Sequence, residues 1–245
     1  MRLLLADVTT ETKLLLCGRG LRAFGDGFVS LLLPAYLTLL GFDALDVGIL
    51  TTATLAGSAA LTLAVGFTAH RFGHRALLIA ATLLMMATGI GFTLETRFWP
   101  LVLIGFVGTL NPSSGDVSLF LPLEQALLAE TVSDRSRTAV FTAYSLVASL
   151  VAAMGALAAG LPELLPLSLL GALQAMFALY ALLGVATYFL YRRLPPRLDR
   201  QRSAPAPPLG PSRNIVLALA ALFSLDAFGG GFTVKSSDPP VKPVT

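Results

Sequence analysis

Leu21-Arg22-Ala23-Phe24-Gly25-Asp26-Gly27-Phe28 returns near the far end of the chain as Leu225-Asp226-Ala227-Phe228-Gly229-Gly230-Gly231-Phe232. The two copies differ at Arg22/Asp226 and Asp26/Gly230. Each lies inside a long apolar run. A bilayer core needs about 20 apolar residues in helical form, and such runs occur at 14–41, 47–69, 76–95, 98–131, 138–160, 168–191 and 214–234. Lipid cannot satisfy a free backbone, so these runs must be helices or barrel strands. Their length, and their Leu and Ala content without strict alternation, favour helices. The two copies fall in the first and seventh runs. An offset of six helices is what two parallel six-helix halves produce; chance likeness of Gly- and Phe-containing apolar helices is the other reading. A shorter echo joins Gly25-Asp26-Gly27-Phe28-Val29-Ser30-Leu31-Leu32-Leu33-Pro34 to Gly115-Asp116-Val117-Ser118-Leu119-Phe120-Leu121-Pro122, with two residues missing from the second. It relates the first run to the fourth, as two three-helix repeats within one half would.

Composition agrees. Hydrophobic residues make up 55% of the chain, charged residues 13%, and the mean hydropathy is +0.78. A soluble domain carries nearly twice that charge density. The net charge of +3 does not imply a nucleic-acid partner, because the basic residues sit in loops between apolar spans. The single cysteine, Cys17, excludes an intrachain disulfide. The two histidines, His70 and His74, share one short basic loop. No metal site or cofactor is expected. Asp7, Glu11 and Lys13 interrupt the N-terminal apolar stretch, so the first run reads as a retained helix and not a signal peptide. No nucleotide-binding loop is present: Gly25-x-Gly27 and Gly229-Gly230-Gly231 neither follow a strand nor precede a Lys-Ser/Thr pair. The chain is not expected to be an enzyme.

The connections give an orientation. Asp43 and Asp46 lie in the first, Arg71 and Arg75 in the second, Glu95 and Arg97 in the third, Asp134, Arg135 and Arg137 in the fourth, and Glu163 in the fifth. The sixth holds Arg192, Arg193, Arg197, Arg200, Arg202 and Arg213 among many prolines. Even-numbered loops are basic, which places them and the N-terminus in the cytoplasm of a cell, on an inner or plasma membrane. The expected organisation is a six-helix bundle over 1–191, a Pro/Arg-rich cytoplasmic linker over 192–213, a seventh membrane helix over 214–234 and a polar tail over 235–245. The tail after Phe232 has no further span. It suggests a truncated or frameshifted chain; a half-size protein that pairs with a second copy is the alternative.

Ionisable groups inside membrane spans are costly and face a cavity or a partner. In the first run Arg19, Arg22, Asp26 and Ser30 share a face. Asp26 is a candidate proton or cation site with Arg22 as its charge partner; a permanent salt bridge is the alternative. Arg19 is expected to reach out toward the nearer membrane surface. The fourth run has the most polar centre, with Asn111, Pro112, Gly115, Asp116, Pro122, Glu124 and Gln125. Pro and Gly there are expected to interrupt the helix. Asp116 and Glu124 are candidate protonatable sites, and Asn111 and Gln125 candidate hydrogen-bonding partners of a solute. The alternative is a kinked packing helix whose carboxylates pair with Arg22 or with loop arginines. Asp226 would face the second half. In the second run Thr51, Thr54, Ser58, Thr62 and Gly66 form a stripe of close helix packing, as Gly155, Gly160, Gly171 and Gly184 are expected to do later. Phe98 and Trp99, and at the other surface Tyr188 and Tyr191, read as interfacial anchors.

Gly66-Phe67-Thr68-Ala69-His70-Arg71-Phe72-Gly73-His74-Arg75 resembles the G-x-x-x-D-R/K-x-G-R-R signature of the major facilitator superfamily, between its second and third helices. Gly66, Arg71, Gly73 and Arg75 match; His70 stands at the Asp position and His74 at the first basic position of the closing pair. The resemblance covers six helices, the linker and the start of the seventh. It implies an all-α membrane fold whose six-helix N-terminal bundle is built of two three-helix repeats. It also implies that this loop acts as a gating latch, and that the protein is a secondary transporter of a small solute by alternating access, proton-coupled through a carboxylate such as Asp26 or Asp116. A non-transporting structural or assembly protein of the membrane is the runner-up.

Overall fold

The computed structural model describes residues 9–110 and 118–200, with positions 214, 218 and 222 beyond them. The chain divides into two units, Met1–Arg202 and Ser203–Thr245, and the helices below belong to the first. Asn111 and Asp116, the expected helix interruption at Pro112 and Gly115, and Asp226 with its repeat all lie outside the described residues.

Regular structure among the described residues is helical: α1 (Thr10–Leu39), α2 (Ala44–Phe72), α3 (His74–Leu94), α4 (Phe98–Val107), α5 (Phe120–Thr131), α6 (Asp134–Ala158), a single 3-10 turn (Leu161–Leu164), α7 (Leu169–Arg192) and the short α8 (Arg197–Arg200). Helix starts carry residues whose side chains satisfy orphan amides. Thr9 accepts from the Thr12 amide, Asp43 from Asp46 at 2.8 Å, and Ser168 from Gly171 at 3.2 Å. Between α2 and α3 the chain reverses on Gly73 alone, at φ +75°, a backbone region that a side chain disfavours.

Among the described residues four helices are long and apolar enough to cross a bilayer, over Ala44–Ala69, His74–Leu94, Ser136–Leu164 and Leu169–Arg192. α1 has the length, at 30 residues, but carries Arg19, Arg22 and Asp26 within it. The run at 98–131, read from sequence as one span, is two helices. α4 stops at Val107, and Gly108 is already extended. Pro122 does not break α5. It falls in the first turn, where its missing N–H would have had no partner.

Packing follows the offset expected of two three-helix units. α1 lies along α6, α2 along α4, and α3 along α7. Exchanging the first three spans with the last three maps these pairs onto themselves. The α1–α6 crossing is a glycine seam. A Cβ on Gly27 would lie 2.1 Å from the Ala152 carbonyl oxygen, and one on Gly155 2.1 Å from that of Phe24. Of the later glycines read as packing sites, Gly155 and Gly184 meet a neighbouring helix. Gly160 and Gly171 do not, because they lie at the turn after α6 and in the first turn of α7, near only local atoms. In the α2 stripe Thr54 and Ser58 are buried, and Thr54 and Thr62 bond back to carbonyls one turn earlier. Gly66 meets open space, and the close contact falls instead at Gly57. Outward faces carry Leu63, Phe67, Leu103, Leu157 and Trp99, as lipid-facing helices do.

Candidate functional site

The chemistry of the bundle gathers at Glu124. This residue of α5 is fully buried, and three helices send a donor to it. Arg22 Nη2 of α1 donates to Oε2 in an ion pair. The Tyr144 hydroxyl of α6 donates to the same oxygen, and the Tyr191 hydroxyl of α7 donates to Oε1. A carboxylate holding three donors, one of them cationic, is matched in charge and hydrogen bonding, which is the condition for keeping an ion out of water.

The surroundings complete the balance. The Arg22 guanidinium lies 4.0 Å from the centroid of the Phe120 ring, one turn before Glu124. Its Nε has no hydrogen-bond partner among the described residues. Arg19 is 4% exposed, with its guanidinium 5.2 Å from the Tyr144 ring centroid. It turns into the bundle and does not reach out to the membrane surface, because the Tyr144 face is closer than water. Asp26 is half-buried and within electrostatic reach of Arg22 and of Tyr180. The expected Arg22–Asp26 relation is therefore joined by a longer-range one, since Arg22 spans 102 residues of sequence to reach Glu124. Gln125 is half-buried beside it. At 1.5 Å per residue, Glu124 lies roughly 10 Å inside the end of the bundle where α5 finishes.

The sequence reading missed Tyr144 and misplaced Tyr191. Tyr191 is not an interfacial anchor; it is fully buried. The signal was present in α7, where Phe177, Tyr180, Gly184, Thr187 and Tyr191 recur at spacings of 3 and 4 and are all buried. α1 leaves room for the ring at Gly18, where a Cβ would come within 2.6 Å of both Cε1 and the hydroxyl oxygen of Tyr191. Tyr188 keeps the anchor position, with Arg192 5.6 Å from its ring centroid.

The loop motif lies at this same end. Arg71 closes α2, Gly73 makes the turn, and His74 and Arg75 open α3. His74 Nδ1 is 4.0 Å from Glu130 of α5, and Arg75 donates to the carbonyl of Arg192 at 3.2 Å. His70 falls in the last turn of α2.

With helices in this order and this buried pair among them, a comparison with known families is decisive. The Major Facilitator Superfamily matches residues 15–236. This chain belongs to the Major Facilitator Superfamily. A relative in Saccharomyces cerevisiae, described as an uncharacterized membrane protein, is 26% identical over 151 residues, covering 62% of this chain and 34% of the relative. The chain thus aligns with about a third of that protein's length. The superfamily assignment makes the molecule a multi-pass membrane protein of a transporter family.

Proposed function

We propose that this chain forms the first six-helix set of a proton-coupled carrier. It moves a small solute across a cell membrane by alternating access, with its N-terminus and basic loops in the cytoplasm. The observation that carries the reading is the fully buried Glu124, held by Arg22, Tyr144 and Tyr191 from three other helices. A carboxylate beside a guanidinium keeps its charge; one that loses its cation in a low-dielectric interior takes up a proton. A movement that separates α1 from α5 therefore converts a conformational change into proton uptake, and its reversal releases the proton. Asp26 sits on the same helix as Arg22 and offers the guanidinium a second carboxylate when the first is protonated. Gln125 of α5, and in the same reading Asn111 and Asp116 before it in sequence, would meet solute. Asp226 would face it from the other half. The α2–α3 loop, from Gly66 to Arg75, acts as the cytoplasmic latch. The partner bundle is a second six-helix set or a second copy of this one.

The test is uptake by the full chain in lipid vesicles containing a pH-sensitive dye, across labelled sugars, amino acids, organic acids and lipophilic cations. Glu124→Gln should abolish solute-driven lumenal acidification while leaving solute exchange measurable. Acidification that persists unchanged in Glu124→Gln removes this carboxylate from the coupling mechanism. No solute-dependent signal in the parent chain would favour a structural membrane protein.

A further inference from the structure

We infer that Tyr191 is a positioning residue that ties the state of the buried carboxylate to the segment leaving the bundle, and through it to the α2–α3 junction and the first turn of α1. The direction of the effect rests on the reading of Glu124 as a proton acceptor; the tie itself rests on contacts.

The contacts run in sequence along 191–198. The Tyr191 hydroxyl donates to Glu124 Oε1. The next carbonyl, that of Arg192, accepts from Arg75. The Leu194 amide donates to the Tyr191 carbonyl at 3.1 Å, and the Leu198 amide to that of Pro195 at 3.2 Å. Leu194 and Leu198 are both buried. Arg197 then donates to Glu11 at 2.5 Å. A short stretch thus touches the buried ion pair, the loop motif and the start of α1. Its inner end is fixed by one hydroxyl, on a ring that Gly18 seats against α1.

The groups around Glu124 define what can alter the tie. Arg22 on α1, Tyr144 on α6 and Tyr191 on α7 contact it, Arg19 lies against the Tyr144 ring, and Asp26 is within electrostatic reach of Arg22. α3, which also packs on α5, brings His74 and Arg75 at its first turn, with His74 toward Glu130. An ionised carboxylate accepts the Tyr191 O–H as a charge-assisted bond, and a protonated one accepts it at neutral strength. That difference amounts to about a tenfold change in local opening. The end of α7 therefore loosens when Glu124 loses its charge, and the α2–α3 junction held by Arg75 responds.

Hydrogen exchange on the full chain in lipid nanodiscs tests this, comparing the parent with Tyr191→Phe and Tyr144→Phe. Tyr191→Phe should raise exchange at 193–198 about tenfold and loosen 74–77 as well. Tyr144→Phe removes a hydrogen bond from the same carboxylate without touching α7, and should leave 193–198 as in the parent. Gly18→Ala, which displaces the ring and keeps the hydroxyl, should reproduce Tyr191→Phe and serves if that variant folds poorly. Unchanged protection in Tyr191→Phe overturns the tie. Equal loosening in both tyrosine variants also overturns it, since it reports general weakening. Glu124→Gln, which keeps an acceptor in place and removes its charge, should loosen 193–198 in the parent and in Tyr144→Phe but not in Tyr191→Phe. No loosening in the parent background overturns the directional half. If the loosening appears but acidification survives Glu124→Gln in the vesicle assay, the coupling role falls and the tie stands.

Discussion

Two pairs of buried tyrosines sit in one bundle and end on different acceptors. Toward the α3–α4 end, the Tyr36 hydroxyl donates to the carbonyls of Phe92 and Glu95 at 3.0 and 3.1 Å. The Tyr180 hydroxyl donates to that of Thr109 at 3.1 Å. Phe177 meets Tyr36 edge-on there and stacks on Phe92, with ring centroids 5.0 and 5.3 Å apart. Toward the other end, Tyr144 and Tyr191 donate to Glu124. A backbone carbonyl is a neutral acceptor; the Glu124 carboxylate is the partner of a buried guanidinium. The first region is a frame of neutral bonds between helix ends, and the second is a junction built around an ion pair. The same residue type therefore meets a neutral acceptor in one place and a charged one in the other, and the acceptor sets the strength of the bond.

The sharpest way to break this contrast is to remove the acceptor. Glu124→Ala strands the Arg22 charge in the interior and should cost about 3–5 kcal/mol, read as a fall in thermal stability in detergent micelles. Tyr36→Phe, in the fixed frame, should cost about 1 kcal/mol. Equal losses would mean that the two regions are energetically alike. Joint replacement of Glu124 by Leu and Arg22 by Met should recover most of the Glu124→Ala loss, because no buried charge is then left alone.

Next in size is the tyrosine comparison itself. Tyr144→Phe gives up a bond to a charged acceptor, about 1.5–3 kcal/mol, and Tyr180→Phe a neutral one, about 0.5–1.5 kcal/mol. The same unfolding measurement ranks them, and a reversed order would contradict an ionised Glu124. The crossing that brings Arg22 and Tyr144 together is probed by Gly155→Ala. Its Cβ would be 2.1 Å from the Phe24 carbonyl oxygen, and forcing the helices apart should cost about 1–3 kcal/mol. Gly66→Ala meets open space and should cost nothing measurable by the same scan.

The smallest effect is at the outer edge of the junction. Glu11 lies before the apolar run that begins at residue 14. Its own backbone amide, and after it Arg197 and Thr9, hold its carboxyl below the usual glutamate range, against an opposing effect of burial. A depressed carboxylate contributes stability that is present at neutral pH and is lost as the pH falls through its folded value. Glu11→Gln should therefore lower stability near neutrality by less than about 1 kcal/mol, as an exposed pair does, and should remove that part of the acid sensitivity. A larger loss would place the Glu11–Arg197 contact inside the frame and not at its edge.

Much of the fold was legible because burial in lipid imposes a local rule. Long apolar runs and short charged loops define helices without knowledge of their neighbours. The end of α4 at Val107 was not legible, because the apolar run continues through Leu110 without a charge. Part of the site was legible too. Arg22 and Glu124 were conspicuous as charges inside apolar runs. Their union stood only as an alternative to a pairing of Arg22 with Asp26, because nothing within either helix fixes its rotation and depth relative to the other. Tyr191 was misread because a tyrosine near a helix end serves equally at an interface or in a core; the choice depends on the slot at Gly18, which belongs to another helix.

The sequence by itself determined that this chain enters a membrane as helices, which of their faces are apolar, and where expensive charges lie along them. Each of those follows from neighbours a few residues apart. Only the tertiary structure decided that Arg22 answers Glu124, that Tyr144 and Tyr191 share the same carboxylate, and that Arg19 turns inward. Those facts depend on how separate helices rotate and slide against one another, which is set by packing at contacts such as Gly27 on Ala152 and Gly155 on Phe24.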